Sequence, residues 1–195
     1  MSWIAENRYL TKAEMQNNAD RVKAYLALRG WSNNAIAGLL GNMQSESTIN
    51  PGIWQSLIEN NMTGGFGLVQ WTPATNFTNW ADSNGYSWTD GDAQLKWINE
   101  VTERFGQWIA TDSYPLTFEE FKTSSESPEY LASAFLKNFE RAGVEVEEQR
   151  RSQASSWYTY ITGGSSDPDS PSPSTSKKRN KFNFILFNRN RRTIV

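Results

Sequence analysis

The stretch GLLGNMQSESTINPGIWQ, residues 38 to 55, begins with an apolar helical pattern and continues into residues that terminate a helix. Ser32 can cap the N-terminus of this helix, and Ile36, Leu40 and Met43 form its apolar stripe. That stripe continues into Glu46 before the breaker Asn50-Pro51-Gly52 ends the helix. The sequence therefore predicts a helix that carries one carboxyl group on its inward face, close to its C-terminus.

Two ordinary effects should raise the pKa of Glu46. An inward-facing carboxyl has little water around it, and the C-terminal end of a helix dipole disfavours a negative charge. A carboxyl that stays protonated near neutral pH can donate its proton to the leaving oxygen of a glycosidic bond. The alternative is an ordinary surface glutamate in the last turn of a helix.

Residues 62 to 72 differ in composition, being rich in glycine, β-branched and aromatic side chains. Phe66, Leu68 and Gln70 alternate with Gly67, Val69 and Trp71, which predicts a short strand or hairpin. Helical patterns occupy residues 11 to 30, 92 to 105, 117 to 124, 128 to 139 and 145 to 161. The expected fold class is α+β and mostly helical, with one small β element after the second helix.

Composition divides the chain into three parts. Residues 1 to 162 can form one acidic, packed domain, and residues 163 to 176 form a Gly/Ser/Pro linker. Residues 177 to 195 are a basic segment around six largely apolar residues, at 182 to 187. We expect this flexible C-terminal tail to dock on a virion protein, because such an apolar run is too adhesive to stay exposed; the alternative is a solubilising end.

Composition also excludes several functions. The chain of 195 residues has a net charge of -2 and contains neither cysteine nor histidine, so thiol nucleophiles and histidine metal ligands are ruled out. The acidic body is a poor nucleic-acid platform. No membrane span and no signal peptide are expected, so the protein should be made in the host cytoplasm. We expect neither a cofactor nor a metal.

Two motifs together carry a resemblance to known enzymes. Glu46-Ser47 followed by Gly67-Leu68-Val69-Gln70 resembles the paired signature of lytic transglycosylases and goose-type lysozymes. The stretches GLLGNMQSESTINPGIWQ and GGFGLVQWTPATNFTNWA, at 38 to 55 and 64 to 81, are similar to the phage tail lysozyme family over about residues 9 to 160. The resemblance implies a lysozyme-like fold and cleavage of the peptidoglycan glycan strand.

The resemblance also implies roles for individual residues. Glu46 matches the catalytic acid, with Ser47 orienting it or the adjacent backbone. Gln70 matches a polar residue of the cleft wall, and Gly67 should let substrate approach the backbone. Phe139 and Glu140, followed by Arg141, fall where related enzymes carry an aromatic-polar motif on a late helix. Lytic transglycosylases have a Tyr-Asn pair there, which this chain lacks.

Tryptophans cluster around these motifs and could stack on sugar rings. Trp71 is the first candidate for the cleft and Trp54 the second, whereas core packing is the alternative for each. No second catalytic carboxyl is evident. The possible ones are Glu59, Asp82, Asp90 and Asp92, each of which could equally be a loop or capping residue. The sequence Asp90-Gly91-Asp92 lacks the alternating ligands of a calcium loop and predicts a turn.

The function expected from the resemblance is a muramidase of the phage tail. It would cleave the β-1,4 bond between N-acetylmuramic acid and N-acetylglucosamine in bacterial peptidoglycan, opening the wall during DNA entry. A lytic transglycosylase or a lysis-stage endolysin would use the same acid. A non-catalytic structural or glycan-binding tail component is the alternative of a different class.

Overall fold

A computed structural model of the chain describes residues 2–141 and 146–164. The predicted docking segment, residues 177 to 195, lies outside the described residues, as does the linker beyond Gly164. Within the described ranges, no helix combines the length and the apolar character needed to cross a bilayer.

The described residues are mostly helical. The seven α-helices are α1 (Lys12–Ala27), α2 (Asn33–Ser47), α3 (Thr75–Ser83), α4 (Gly91–Lys96), α5 (Phe118–Thr123), α6 (Pro128–Phe135) and α7 (Glu147–Ile161). A π-helical turn, Trp97–Val101, extends α4, and another, Leu136–Glu140, extends α6. A 3₁₀ turn covers Gln55–Leu57. The predicted helices are thus confirmed, whereas α3 was not predicted.

Helix α2 lies at the centre of the fold. Every residue from 35 to 43 is buried, so the helix is surrounded by protein and the predicted single apolar stripe understates its burial. It packs mainly against α6 and α7. Two glycines allow this contact: a Cβ at Gly38 would lie 2.9 Å from the Ala132 nitrogen, and one at Gly41 would lie 2.5 Å from the Arg150 oxygen. These close approaches bring the first turns of α7 against α2.

The strand or hairpin predicted at residues 62 to 72 is represented only by isolated bridges around a turn. The described residues contain isolated antiparallel bridges, Trp54 to Phe66 and Phe66 to Trp71, but no strand. The chain reverses between Phe66 and Trp71, because Gly67 (φ 76°) and Gln70 (φ 48°) both have left-handed backbone conformations. The Gln70 N–H donates to the Gly67 carbonyl at 3.1 Å, which closes the turn. An extended strand is incompatible with these angles.

Candidate active site

Glu46 lies at the C-terminal end of the central helix. It is the penultimate residue of α2, which ends where Thr48 adopts a left-handed conformation (φ 54°, ψ 35°). The Glu46 side chain is only 13% exposed. The prediction of a carboxyl with restricted access to water, at the end of a buried helix, is therefore confirmed.

A buried guanidinium contacts this carboxyl. Arg150 of α7 places Nη2 2.6 Å from Oε1 of Glu46, and its side chain is 5% exposed. Its Nη1 lies 2.9 Å from Oε2 of Glu140, whose side chain is 1% exposed. The same Nη1 donates to Oδ1 of Asn42 at 3.0 Å. One cation therefore joins α2, α7 and the π-helical turn after α6.

The guanidinium remains charged in this setting. Burial lowers the pKa of Arg150, but the carboxylates of Glu140 and Glu46 outweigh it and raise the pKa above its usual value. A permanent cation at 2.6 Å favours the ionised form of Glu46. The sequence does not predict this effect, which opposes the influence of burial and of the helix dipole on the same carboxyl.

Ser47 connects the helix end to the turn at residues 67 to 70. Its buried Oγ lies 2.8 Å from the Leu68 carbonyl and 3.0 Å from the Met43 carbonyl, within hydrogen-bonding distance of both. It also accepts a hydrogen bond from the Asn50 N–H at 3.3 Å. Ser47 thus orients the backbone beside Glu46. Because it is 0% exposed, it cannot touch substrate in this conformation.

The turn at residues 67 to 70 is fixed by hydrogen bonds to Gln94, a residue that was not predicted from the sequence. Gln94 of α4 is fully buried, and its Oε1 accepts a hydrogen bond from the Leu68 N–H at 2.8 Å. Its Nε2 donates to the carbonyls of Pro51 and Trp88, each at 2.7 Å. A Cβ at Gly67 would lie 2.6 Å from Gln94 Oε1. Gly67 therefore makes room for Gln94, and its role toward substrate stays a prediction.

Gln70 is half-buried at the edge of this turn. Its Nε2 donates to the carbonyls of Ile53 and Gly67, at 3.2 and 3.1 Å. The side chain thus fixes the turn against the segment that follows α2. Its role toward substrate stays a prediction.

The two tryptophans predicted for the cleft belong to the core. Trp54 is 5% and Trp71 4% exposed, so neither ring offers a face to a sugar. The Trp71 ring stacks on Phe77 with centroids 4.7 Å apart, and the Trp54 ring packs on Phe66 at 4.4 Å. Core packing, the alternative for each, is the arrangement found.

The two late-helix residues are also buried. Phe139 is 2% exposed and stacks on Phe135 with centroids 4.4 Å apart. Glu140 binds Arg150, so both residues support the site from within, which corrects their predicted contact with substrate. Arg150, like Gln94, is a residue of the site that was not predicted from the sequence. The sequence feature that could have indicated Arg150 is its place on the same side of the last helix as Trp157.

Three of the four acidic residues considered as a second catalytic group have structural partners. Asp82 accepts from the Trp88 indole at 2.7 Å, and Asp92 accepts from the Trp3 indole at 2.8 Å. Asp90 caps α4 through the Asp92 N–H at 2.9 Å, as the predicted turn requires. Glu59 is exposed. Over residues 2–141 and 146–164, no three acidic side chains come together as a metal site would need.

Comparison with known proteins gives a consistent result. Residues 17–161 match the family described as phage tail lysozyme, which confirms the resemblance predicted from the two motifs. Over 161 residues the chain is 48% identical to "Morphogenesis protein 1" of Bacillus phage B103, a match that covers 83% of this chain and 44% of that relative. The chain thus spans less than half the length of this relative. By these two similarities, the chain belongs to the phage tail lysozyme family.

Proposed function

We propose that the protein cleaves the glycan strand of bacterial peptidoglycan, at the β-1,4 bond between N-acetylmuramic acid and N-acetylglucosamine, with Glu46 as the general acid. The observation that supports this proposal is the position of Glu46. Its carboxyl is 13% exposed, lies at the end of a buried helix and is fixed in place by the buried Arg150. Such a group reaches solvent but is rigidly placed, as a proton donor to a bound sugar must be.

The reaction begins with proton transfer from the Glu46 carboxyl to the glycosidic oxygen. The bond from C1 to that oxygen breaks, its electron pair goes to the leaving sugar, and positive charge develops on C1 and the ring oxygen. Water then attacks C1 and returns a proton to the Glu46 carboxylate. Bound substrate displaces water from the carboxyl, and this loss of hydration favours the protonated form, against the effect of Arg150.

A second candidate reaction is that of a lytic transglycosylase, in which a hydroxyl group of the substrate replaces the attacking water. One observation favours it. Glu140, the carboxyl that shares Arg150 with Glu46, is 1% exposed and cannot hold a water in a cleft. Of the candidates considered among the described residues, Asp82, Asp90 and Asp92 are engaged in structural hydrogen bonds, which leaves the exposed Glu59. The family favours hydrolysis, so hydrolysis is our first proposal.

The setting we propose is the phage tail, where the enzyme opens the host wall during DNA entry. The name of the relative from Bacillus phage B103, "Morphogenesis protein 1", supports a role in the particle. Docking through residues 177 to 195 onto another virion protein remains part of this proposal. A lysis-stage endolysin is the alternative setting for the same chemistry.

The test is clearance of a purified peptidoglycan suspension by the wild type and by Glu46→Gln. This substitution keeps the shape of the side chain and removes its proton, so we expect activity to fall about 10²- to 10⁴-fold. Glu148→Gln is the matched control, because that side chain is 94% exposed on α7 and should leave clearance unchanged. Equal clearance by the wild type and Glu46→Gln would remove Glu46 from the mechanism.

Mass spectrometry of the released fragments then separates the candidates. Reducing ends identify a hydrolase, whereas anhydro-sugar ends identify a lytic transglycosylase. A folded wild type that releases no fragments would instead favour the non-catalytic glycan-binding or structural component.

A further inference from the structure

Arg150 is a buried cation shared by two carboxyl groups that differ in exposure. Glu46, at 2.6 Å, is 13% exposed, whereas Glu140, at 2.9 Å, is 1% exposed. Asn42 Oδ1 accepts a third hydrogen bond from the same side chain at 3.0 Å. Because the buried Asn42 and Glu140 fix the guanidinium, it is a rigid support for the Glu46 carboxyl.

The backbone around this cluster is equally fixed. At Gly41 the surface of α2 is in direct contact with the backbone of α7, since an added Cβ would lie 2.5 Å from the Arg150 carbonyl oxygen. On the other side, Glu140 ends the π-helical turn that follows α6, a type of turn that often marks functional sites. Neither carboxyl can therefore move far from the guanidinium.

We propose that Arg150 is a positioning residue for the Glu46 carboxyl, and that Glu140, by sharing the same guanidinium, sets the pH range over which Glu46 keeps its proton. This inference rests on the proposed function of Glu46 as the acid. Neither Arg150 nor Glu140 is assigned a contact with substrate.

The direction of the effect follows from the charges. Ionised Glu140 neutralises part of the positive field of Arg150 and adds a negative charge near Glu46, and both effects favour the protonated form of Glu46. Without the charge on Glu140, the guanidinium would act on Glu46 alone. The Glu46 proton would then be lost at a lower pH.

The other described charged groups on these elements have separate partners. Lys137 on the π-helical turn pairs with Glu147 on α7 at 3.4 Å, and Glu147 also accepts from Tyr114 at 3.2 Å. On α7, Arg151 and Glu148 lie 4.0 Å apart with side chains 44% and 94% exposed. The turn from Gly67 to Gln70 carries no charged side chain. Within the described ranges, the carboxylates that raise the Arg150 pKa are those of Glu140 and Glu46.

The first test compares pH profiles of peptidoglycan clearance, as kcat/KM, for the wild type and Glu140→Gln. We expect the alkaline limb of the profile, where the acid loses its proton, to move to lower pH by about 1 unit. Glu148→Gln is the control for the same chemical change on an exposed side chain. An unchanged limb, or a lower melting temperature with an unchanged limb, would overturn the role of Glu140.

The second variant is Arg150→Lys, which tests positioning. Lysine keeps the charge but lacks the planar fork, so kcat should fall at least tenfold with KM nearly unchanged, and the alkaline limb should stay close to that of the wild type. Arg151→Lys is the matched control on the neighbouring, exposed side chain. Wild-type kcat in Arg150→Lys would overturn the positioning role.

A third measurement needs neither activity nor a folded Glu140→Gln variant. In wild type labelled with ¹³C at glutamate carboxyl carbons, the Glu46 signal is assigned by its disappearance in Glu46→Gln. We expect its titration curve to have two steps, because Glu46 and Glu140 titrate as a coupled pair. A single step would overturn the inference. A two-step curve in a protein that clears no peptidoglycan would contradict the proposed function while supporting the shared guanidinium.

Discussion

Two regions with different chemistry meet at the C-terminal end of α2. On the helical side, α2, α7 and the turn after α6 bury two carboxyl groups and a guanidinium in one cluster. On the turn side, residues 67 to 70 carry no charged side chain and are held by the neutral amide of Gln94 and by left-handed backbone at Gly67 and Gln70. Ser47 joins the two regions through its contact with the Leu68 carbonyl at 2.8 Å.

The difference separates two tasks that a glycosidase site must perform. Buried charges on the helical side act on the protonation of the acid, because electrostatic interactions are strong where water is excluded. Neutral hydrogen bonds on the turn side fix the shape of the chain and add no charged group to the turn. A substitution on the helical side should therefore change pH dependence, and one on the turn side should change stability without changing pH dependence.

The largest expected effect is that of Arg150→Met. Removing the cation from a buried ion pair leaves the Glu140 and Glu46 carboxylates without its compensation, at a cost of about 3–5 kcal/mol in the free energy of unfolding. Both carboxyl groups would then favour protonation in the folded state, so the loss should be larger at pH 7 than at pH 4. Urea unfolding at the two pH values measures it.

Arg151→Met is the control for that experiment. Its side chain is 44% exposed and lies 4.0 Å from its partner Glu148, so the substitution should change stability by less than about 0.5 kcal/mol. If Arg150→Met and Arg151→Met were equally stable, the buried cluster would not contribute to folding as described.

A smaller effect is expected on the turn side, from Gly67→Ala. The left-handed conformation at Gly67 (φ 76°) and the approach of Gln94 Oε1 to 2.6 Å both oppose a methyl group there. Backbone strain alone costs about 1–3 kcal/mol. Gly85→Ala separates the two causes, because Gly85 has φ 73° but nothing lies within 4 Å of its added Cβ. Thermal unfolding should show a larger loss of stability for Gly67→Ala than for Gly85→Ala. Equal losses would mean that the Gln94 side chain moves aside at no cost in stability.

The sequence predicts the helical side well because its signals are local. The Ser32 cap and the stripe from Ile36 to Met43 predict α2, and Ser32 does accept from the Ala35 N–H at 3.0 Å. The inward placement of Glu46 follows from the same stripe. Its partner Arg150 is 104 residues away in the chain, and no local pattern reports a contact at that separation.

The turn side is predicted less well because different structures share its pattern. Alternation from Phe66 to Trp71 predicts a short strand or hairpin, whereas two residues with positive φ fold this segment into a tight turn between isolated bridges. Helix α3 was missed because Thr75, Asn76 and Asn79 have low helix propensity, and its stability comes from burying Phe77 and Ala81. Aromatic residues near a motif do not reveal whether they face a sugar or the core.

A solvent-accessible ion pair outside the Arg150 cluster, Arg8 with Glu14, sharpens the comparison with that cluster. Glu14 binds Arg8 through two hydrogen bonds, of 2.7 and 2.9 Å, and accepts a third from the Thr11 N–H at 2.8 Å. These bonds, that from Arg8 first, lower the pKa of Glu14 from its usual 4.5 to about 2. Because the folded-state pKa is the lower one, the stabilisation is complete above the usual pKa and disappears as the pH falls toward about 2.

We therefore expect the smallest of these effects for Glu14. Its ¹³C carboxyl signal should titrate near pH 2, and in Arg8→Gln the midpoint should rise toward 4.5 while staying below it, because the Thr11 bonds remain. A wild-type midpoint near 4.5 would contradict the bonds to Arg8. High salt distinguishes the two clusters, since mobile ions screen accessible charges strongly and buried ones weakly. The Glu14 midpoint should move upward in 1 M salt, whereas the two-step curve of Glu46 should persist, because the Arg150 side chain is only 5% exposed and salt screens such a charge weakly.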